Sequence, residues 1–160
     1  MALGLLMTAC EGPPPSGLAP PDPAEFFCTI SEDQIHVGDP GKDFIPALTD
    51  PVMADAGTPG AAYLGPEERV IGIVIEGQPL AVPHRVLWWH EIMNLNVGST
   101  RVAVTYCPLT GSRMAFDRSV IEGAELGVSG LLFQNNLIMY DRRTEESFWT
   151  QMLRGARCGA

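Results

Sequence analysis

The clearest pattern of hydrophobic positions lies in the middle of the chain, where two apolar runs are separated by turn residues. The β-branched run 70–75 is followed by Glu76-Gly77-Gln78 and then by a second apolar run, 79–82. This order of apolar run, turn residues and apolar run is typical of a β-hairpin. Because the first run is almost continuously apolar, it further predicts a strand that is buried on both faces.

The segments on either side predict further strands, a helix and a long loop. Residues 86–94 place apolar side chains close to helical spacing, which favours a short helix. Clusters of Gly, Pro and Asp interrupt residues 31–66, which predicts an ordered loop with one helical turn. Further strands are predicted at 101–106, 113–116 and 125–128, with two short ones in 131–140 around Asn135-Asn136 and a closing segment at 145–151. The expected fold is mainly β (α+β): a single, mostly antiparallel sheet domain over residues 26–160, with one or two short helices and long wrapping loops.

The N-terminal residues predict export. Residues 2–9 are apolar and uncharged and end in small residues immediately before Cys10, so that segment 1–10 resembles a signal peptide with a bacterial lipoprotein box. The alternative is a buried or frayed N-terminal turn. Residues 11–25 are rich in proline, which favours an extended spacer between an anchor and a folded domain. The sequence therefore predicts a periplasmic or cell-surface protein that is attached to the membrane by a lipid anchor on Cys10.

Charge and hydropathy narrow the classes of partner. The chain has 10 Lys+Arg against 19 Asp+Glu, which gives a formal net charge of −9. Because nucleic-acid binders cluster basic residues and the first basic residue here is Lys42, a nucleic-acid partner is not expected. No apolar run approaches the roughly 20 residues that a membrane-spanning helix needs.

The four cysteines leave several arrangements open. If Cys10 is lipidated, Cys28, Cys107 and Cys158 remain, and an oxidising compartment permits one disulfide among them. The sequence does not select the pair. Zinc-type Cys/His spacing is missing from the chain, so a structural zinc site is not expected.

Two segments carry the side chains with the most distinctive chemistry. Cys107 ends the strand predicted at 101–106 and enters a turn, where backbone N–H groups could stabilise a thiolate. His90 lies between a Trp-Trp pair and Glu91, a setting that could desolvate its ring and shift its pKa. The alternative is a structural role for both residues, in which Cys107 packs as a small buried hydrophobic residue and His90 has its hydrogen bonds made within the protein.

These residues support three interpretations. The first is a binding site for a metal or small ligand, built from the His90 segment and the Cys107 turn. The second is an enzyme in which Cys107 is the nucleophile or redox centre and His90 the base. The third is a structural or interaction module in which Trp88, Trp89, His90 and Cys107 are core residues. Candidate ligand-binding residues are Arg85, Glu91, Thr110, Ser112 and Asp141, and candidate ligands of copper or another soft metal are Cys107, His90 and Met114.

Several segments resemble one known family. They are residues 41–51 (GKDFIPALTDP), 89–92 (WHEI), 104–112 (VTYCPLTGS), 127–132 (GVSGLL), 136–142 (NLIMYDR) and 148–151 (FWTQ). In this order they resemble the prokaryotic domain-of-unknown-function family 3179. The resemblance implies an exported or lipid-anchored protein without a settled activity.

Two departures from the family pattern change what the resemblance implies. Some relatives carry a second cysteine where Thr110 stands, which suggests a thiol or metal role for the turn, and its absence here weakens a redox pair at this position. Relatives also continue beyond the Trp-x-Gln segment, whereas here residues 152–160 follow it without a core pattern. The resemblance therefore implies a member that is incomplete at its C-terminus and exposes a sheet edge.

Overall fold

The computed structural model describes residues 27–159. The lipobox-like segment with its lipidation at Cys10 and the proline-rich linker therefore lie outside the described residues. Within them, no helix is both long enough and apolar enough to cross a bilayer.

The described chain forms twelve strands, one α-helix and three short 3₁₀ helices. The strands are β1 (Phe27–Cys28), β2 (Ile35–Val37), β3 (Leu48–Thr49), β4 (Val70–Ile75), β5 (Gln78–Pro83), β6 (Ile92–Val97), β7 (Thr100–Cys107), β8 (Ser112–Asp117), β9 (Leu126–Phe133), β10 (Asn136–Asp141), β11 (Phe148–Thr150) and β12 (Gly155–Gly159). The α-helix is α1 (His84–His90), and the 3₁₀ helices are Glu32–Gln34, Pro59–Ala61 and Arg118–Ile121.

The strands form three sheets. One has six strands in the order β1-β12-β11-β10-β9-β2, one has four in the order β3-β6-β7-β8, and β4 and β5 form a two-stranded hairpin. Every pair is antiparallel except β3 with β6. The predicted fold class, a mostly antiparallel β domain with one short α-helix, is confirmed.

The four-stranded sheet is central and is covered on both faces. Because successive side chains of a strand point to opposite faces, β7 sends Val102 and Val104 to one side and Ala103 and Cys107 to the other. On the first side lies the hairpin layer, formed with β4, β5 and α1. On the second side lies the sheet layer, formed with the six-stranded sheet. Buried residues of the hairpin layer are Ile75, Val82, Leu87, Met93, Leu95, Val102, Val104 and Tyr106, and those of the sheet layer are Ile92, Ala103, Cys107, Ile121, Leu126, Val128, Leu137 and Met139.

Two predictions of local structure need correction. The hairpin is present, but β4 is not buried on both faces, since Val70 and Val74 are 42% and 68% exposed. A two-stranded hairpin at the edge of the molecule covers the core with one face and leaves the other in water. The helix predicted over 86–94 ends at His90, because Glu91 adopts φ 55° and the chain continues as β6.

The C-terminal segment also differs from its prediction. Residues 152–160 were expected to carry no core pattern, yet β12 pairs with β11 on one side and β1 on the other. Cys158 is buried there and forms a disulfide with Cys28, 130 residues away in sequence. Backbone pairing and a covalent bond hold this strand, so its Gly and Arg residues give no hydrophobic alternation for a sequence pattern to detect.

Candidate functional site

The Cys107 turn connects two neighbouring strands of the central sheet. Cys107 ends β7 and is paired with Ser112, the first residue of β8. The N–H of Gly111 donates to the carbonyl of Cys107 over 2.8 Å, and Gly111 has φ 66°, a conformation that glycine adopts without strain. The turn therefore presents the hydroxyls of Thr110 and Ser112 in a fixed position at the rim of the sheet.

The thiol of Cys107 points inward from this turn. The residue is 1% exposed, packs in the sheet layer, and lies with its Sγ 3.8 Å from the carbonyl oxygen of Asn135. A reactive cysteine needs access as well as a stabilised thiolate. In this position the thiol serves packing, and it is closed to a substrate from solvent.

A network of amides and hydroxyls surrounds the inner side of the turn. The Nδ2 of Asn136 lies 2.9 Å from Oε1 of Gln151, 2.9 Å from Oγ1 of Thr110 and 2.8 Å from Oγ of Ser112. Ser112 donates to the same Oε1 of Gln151. The Nε2 of Gln151 donates to Oγ1 of Thr105 over 2.9 Å. Three strands of two sheets are thus joined by side chains that carry no charge.

The network has more acceptors than Asn136 can serve. An amide nitrogen has two hydrogens, whereas three oxygens lie within hydrogen-bond reach of this one. Thr110 and Ser112 are 2.8 Å apart and share one further hydrogen bond. A hydroxyl lone pair at the mouth of the network therefore remains open to a donor from outside.

A cleft of about 300 Å³ opens onto this network. Its lining combines hydroxyls and amides with large apolar side chains, since Phe133 pairs with Asn136 across β9 and β10 and the N–H of Met152 donates to Oδ1 of Asn136. None of its lining residues is ionisable. They are Thr110, Ser112, Phe133, Gln134, Asn136, Thr150, Met152 and Leu153.

His90 lies at the end of α1 with a partner of its own. Its Nδ1 donates to the carbonyl oxygen of Pro46 over 2.7 Å, which ties the helix to the segment that leads into β3. Cys107 and His90 thus have separate partners, and the pairing of these two groups as nucleophile and base stays a prediction. The interpretation of the Trp pair as core is wrong, because Trp88 and Trp89 are 55% and 73% exposed.

Glu91 carries the most perturbed carboxyl of the region. Burial, followed in size by the negative charge of Asp39, raises the pKa of Glu91 to about 7. Its backbone bridges α1 and β7, since its N–H donates to the carbonyl of Leu87 and its carbonyl accepts from the N–H of Tyr106, both over 2.7 Å. The structure places this residue at a junction of elements, outside the cleft.

The remaining candidates lie in three different places. Arg85 donates to the carbonyl of Tyr63 and borders a shallow pocket on α1. Asp141 is buried at the end of β10 and accepts from the N–H of Arg143 over 2.8 Å, so that it closes a turn. Met114 is half-buried on β8, opposite Thr105. Of the predicted ligand-binding residues, only Thr110 and Ser112 line the cleft.

Over residues 27–159, His, Cys, Asp and Glu side chains do not form a group of three or more that could hold a metal ion. Such sites require several ligands that converge within coordination distance. The Cys107, His90 and Met114 set for copper or another soft metal therefore stays a prediction.

Comparison with known proteins gives one match. Residues 42–160 match the model of a family described as Protein of unknown function (DUF3179). The chain belongs to this family. The match covers the central sheet, the Cys107 turn and the cleft, and it confirms the predicted resemblance. Searches of curated proteins and of solved structures returned no match.

Sequence reasoning missed the inner half of the site. In the sequence, Asn136 stands between two predicted strands and within a family motif, and Gln151 stands only within a family motif, although both form the centre of the polar network. A signal was present, since each is an amide beside a strongly apolar segment. Burial of an amide requires partners, and this requirement could have flagged both residues.

Proposed function

We propose that this chain is a binding domain for a small uncharged ligand, which it holds in the cleft beside the Cys107 turn. The observation that carries the proposal is the cleft itself, which borders the amide and hydroxyl network and has no ionisable side chain in its lining. Ligand sites are typically apolar hollows in which a few placed polar groups set the orientation.

The polar side chains of the lining select hydrogen-bonding ligands. The hydroxyl hydrogens of Ser112 and Thr110 are used within the network, so these hydroxyls offer lone pairs, and the excess of acceptors around Asn136 favours a ligand that donates. An ionised ligand would lose its hydration here without gaining an opposite charge. The expected class is therefore a neutral amide or alcohol.

The cleft also selects an apolar group. Phe133, Met152 and Leu153 line it, and Met152 and Leu153 are largely exposed. Covering such side chains removes apolar surface from water, which supplies affinity without direction. The ligand is thus expected to combine one amide or hydroxyl with a compact apolar body.

Benzamide and benzoate test this selection, because they share a ring and differ in charge. The measurement is titration of ¹⁵N-labelled protein, read at the side-chain amide signals of Asn136 and Gln151. Benzamide should shift both signals saturably, whereas benzoate should leave them in place. The proposal is wrong if both probes shift these signals equally or if neither moves them.

A matched pair of phenylalanine variants locates the binding. Phe133→Ala removes the one aromatic ring from the lining of the cleft and should weaken benzamide binding by about tenfold. Phe44→Ala removes a ring that is exposed outside the cleft and should leave the affinity unchanged. Equal losses in the two variants would place the benzamide elsewhere.

We further propose that the protein is exported and anchored through Cys10. The Cys28–Cys158 disulfide supports this, because such bonds persist in oxidising compartments and are rare in the cytosol. Expression in a bacterium with an outer membrane, followed by fractionation and radiolabelled palmitate, tests it. Cys10→Ser should abolish labelling and release the protein from the membrane fraction. Unlabelled cytosolic protein with reduced Cys28 would contradict the proposal.

A further inference from the structure

One surface of the molecule combines exposed tryptophans with cationic side chains. The α1 face consists of His84, Arg85, Trp88 and Trp89, which together line a shallow hollow of about 330 Å³. Two neighbouring, largely exposed tryptophans are unusual on a soluble surface, because each ring carries a large apolar area. The polar network and the cleft described above do not use this face.

Further arginines surround the α1 face. The backbone carbonyl of Arg69 accepts from the N–H of His84, and the positive charges of Arg113 and Arg69 both act on the His84 ring. Arg113 lies near His84 because it pairs with Tyr106 across β7 and β8, and the ring of Tyr106 lies 4.9 Å from that of His84. Arg69, Arg85 and Arg113 are all exposed.

Glu68 supplies opposing charge near this face, and its negative charge also acts on the His84 ring. Glu68 lies 3.9 Å from Nε of Arg85, the long end of an ion pair, and Arg113 also donates to the carbonyl of Gly111. The whole chain has a formal net charge of −9, so a group of three arginines around two tryptophans runs against the overall balance. The local surface therefore favours an anionic occupant.

We infer that the α1 face binds the surface of an anionic lipid bilayer, with Trp88 and Trp89 at headgroup level and Arg69, Arg85 and Arg113 against lipid phosphates. Tryptophan prefers the membrane interface, and arginine is attracted to anionic leaflets and pairs with phosphate. A neutral sugar fits less well, because it carries no negative charge to pair with the arginines. The inference rests neither on lipidation of Cys10 nor on the ligand of the cleft.

Vesicle binding by the full chain tests the inference, with Cys10→Ser in every sample so that an acyl chain cannot contribute. The protein should co-sediment with phosphatidylcholine vesicles that contain phosphatidylglycerol and much less with pure phosphatidylcholine. Its tryptophan emission should shift to the blue on binding, since two of the three tryptophans enter the interface. Added salt should weaken the binding.

Surface variants assign the binding to the α1 face. Trp88→Ala with Trp89→Ala should weaken it at least roughly tenfold, and Arg85→Gln with Arg113→Gln by roughly fivefold for each arginine. Val120→Ala, at another largely exposed apolar position, and Arg154→Gln, at a distant exposed arginine, are the matched controls and should bind as the parent does. All these positions are exposed, so the variants are expected to fold, and circular dichroism checks this.

Three results would overturn the inference. One is vesicle binding that is equal with and without phosphatidylglycerol. Another is binding that the tryptophan and arginine variants leave unchanged. The third is a dimer, seen by light scattering, that the tryptophan variants dissociate, because the α1 face would then be an interface between two copies of the chain.

Discussion

The two layers that cover the central sheet are held together in different ways. In the hairpin layer the buried residues are apolar almost without exception, from Ile75 to Tyr106. On the side of the six-stranded sheet, Asn94, Thr105, Arg118 and Gln151 are buried as well. The hairpin layer is therefore stabilised by the burial of apolar surface, which imposes no orientation on the side chains. The sheet layer is also stabilised by hydrogen bonds, which require a defined orientation.

Asn94 illustrates what direction adds. Its Nδ2 donates to the carbonyl of Leu126 over 2.9 Å, and its Oδ1 accepts from the N–H of the same residue over 3.0 Å. The side chain on β6 thereby bonds to β9 as a strand would, and fixes where the two sheets meet. Packing alone would allow the sheets to slide by a residue. The hydrogen bonds of the sheet layer thus set the position of the cleft, and both layers contribute to stability.

The largest expected effect comes from Arg118, which is 1% exposed. Its guanidinium donates to the carbonyls of Leu95, Gly123 and Ala124 and to the side chain of Asn96. Arg118→Ala leaves the buried carbonyl of Leu95 and the partly buried acceptors of Gly123, Ala124 and Asn96 without this donor, and it should lower the free energy of unfolding by about 4 kcal/mol.

Urea denaturation followed by circular dichroism measures this loss. Arg143→Ala is the control, because Arg143 is exposed and its ion pair with Glu122 lies at the surface. That change should cost less than about 1 kcal/mol. A small effect of Arg118→Ala would mean that the hydrogen bonds of the sheet layer add little to its stability.

The next effect belongs to the hairpin layer. Leu87 on α1 is completely buried, and Leu87→Ala should cost about 3 kcal/mol through lost burial and the cavity that remains. Leu87→Met keeps the volume and should cost less than about 1.5 kcal/mol. Val74→Ala, on the exposed side of the hairpin, should change little. A large loss in Leu87→Met would show that this layer also depends on exact shape.

The same contrast explains what the sequence could predict. The β4–β5 hairpin, β7 and residues 86–90 of α1 follow from apolar periodicity, because most of their buried side chains are apolar. Gln151 and Arg118 have no periodic signal, since their burial depends on partners that are distant in sequence. The order of strands in the sheets and the Cys28–Cys158 pair depend on the same long-range contacts, so they became visible only in the structure.

Two threonines with similar burial give a sharper test of direction. Thr105 accepts a hydrogen bond from Gln151 and donates to the carbonyl of Met114, whereas the hydroxyl of Thr150 is buried without a partner. Thr105→Val should lower the free energy of unfolding by about 2 kcal/mol, because it leaves the buried amide of Gln151 without its acceptor. Thr150→Val replaces an unsatisfied hydroxyl and should be neutral or stabilising. Urea denaturation measures the free energy of unfolding of both variants. Equal losses in the two would contradict the conclusion that the hydrogen-bond network contributes to stability.

The smallest expected effect is the pH dependence of stability that Glu91 causes where α1 meets β7. Because the pKa of Glu91 is raised from its usual 4.5 to about 7, the folded state holds this proton more tightly than the unfolded state does. Its contribution to stability is complete at low pH and is lost as the pH rises toward about 7. Glu91→Gln stays neutral, so it should be more stable than the parent by about 1–2 kcal/mol at about pH 8, after allowance for solvent screening of a half-buried group, and nearly equal at about pH 5. Glu76→Gln is the control, because hydrogen bonds from Thr100 and Ser99 lower the pKa of Glu76, and its cost should not change across that range. If the stability of Glu91→Gln depends on pH as steeply as that of the parent, Asp39 and burial do not act on this carboxyl. The site of Glu91 would then be as well solvated as the outer face of the hairpin.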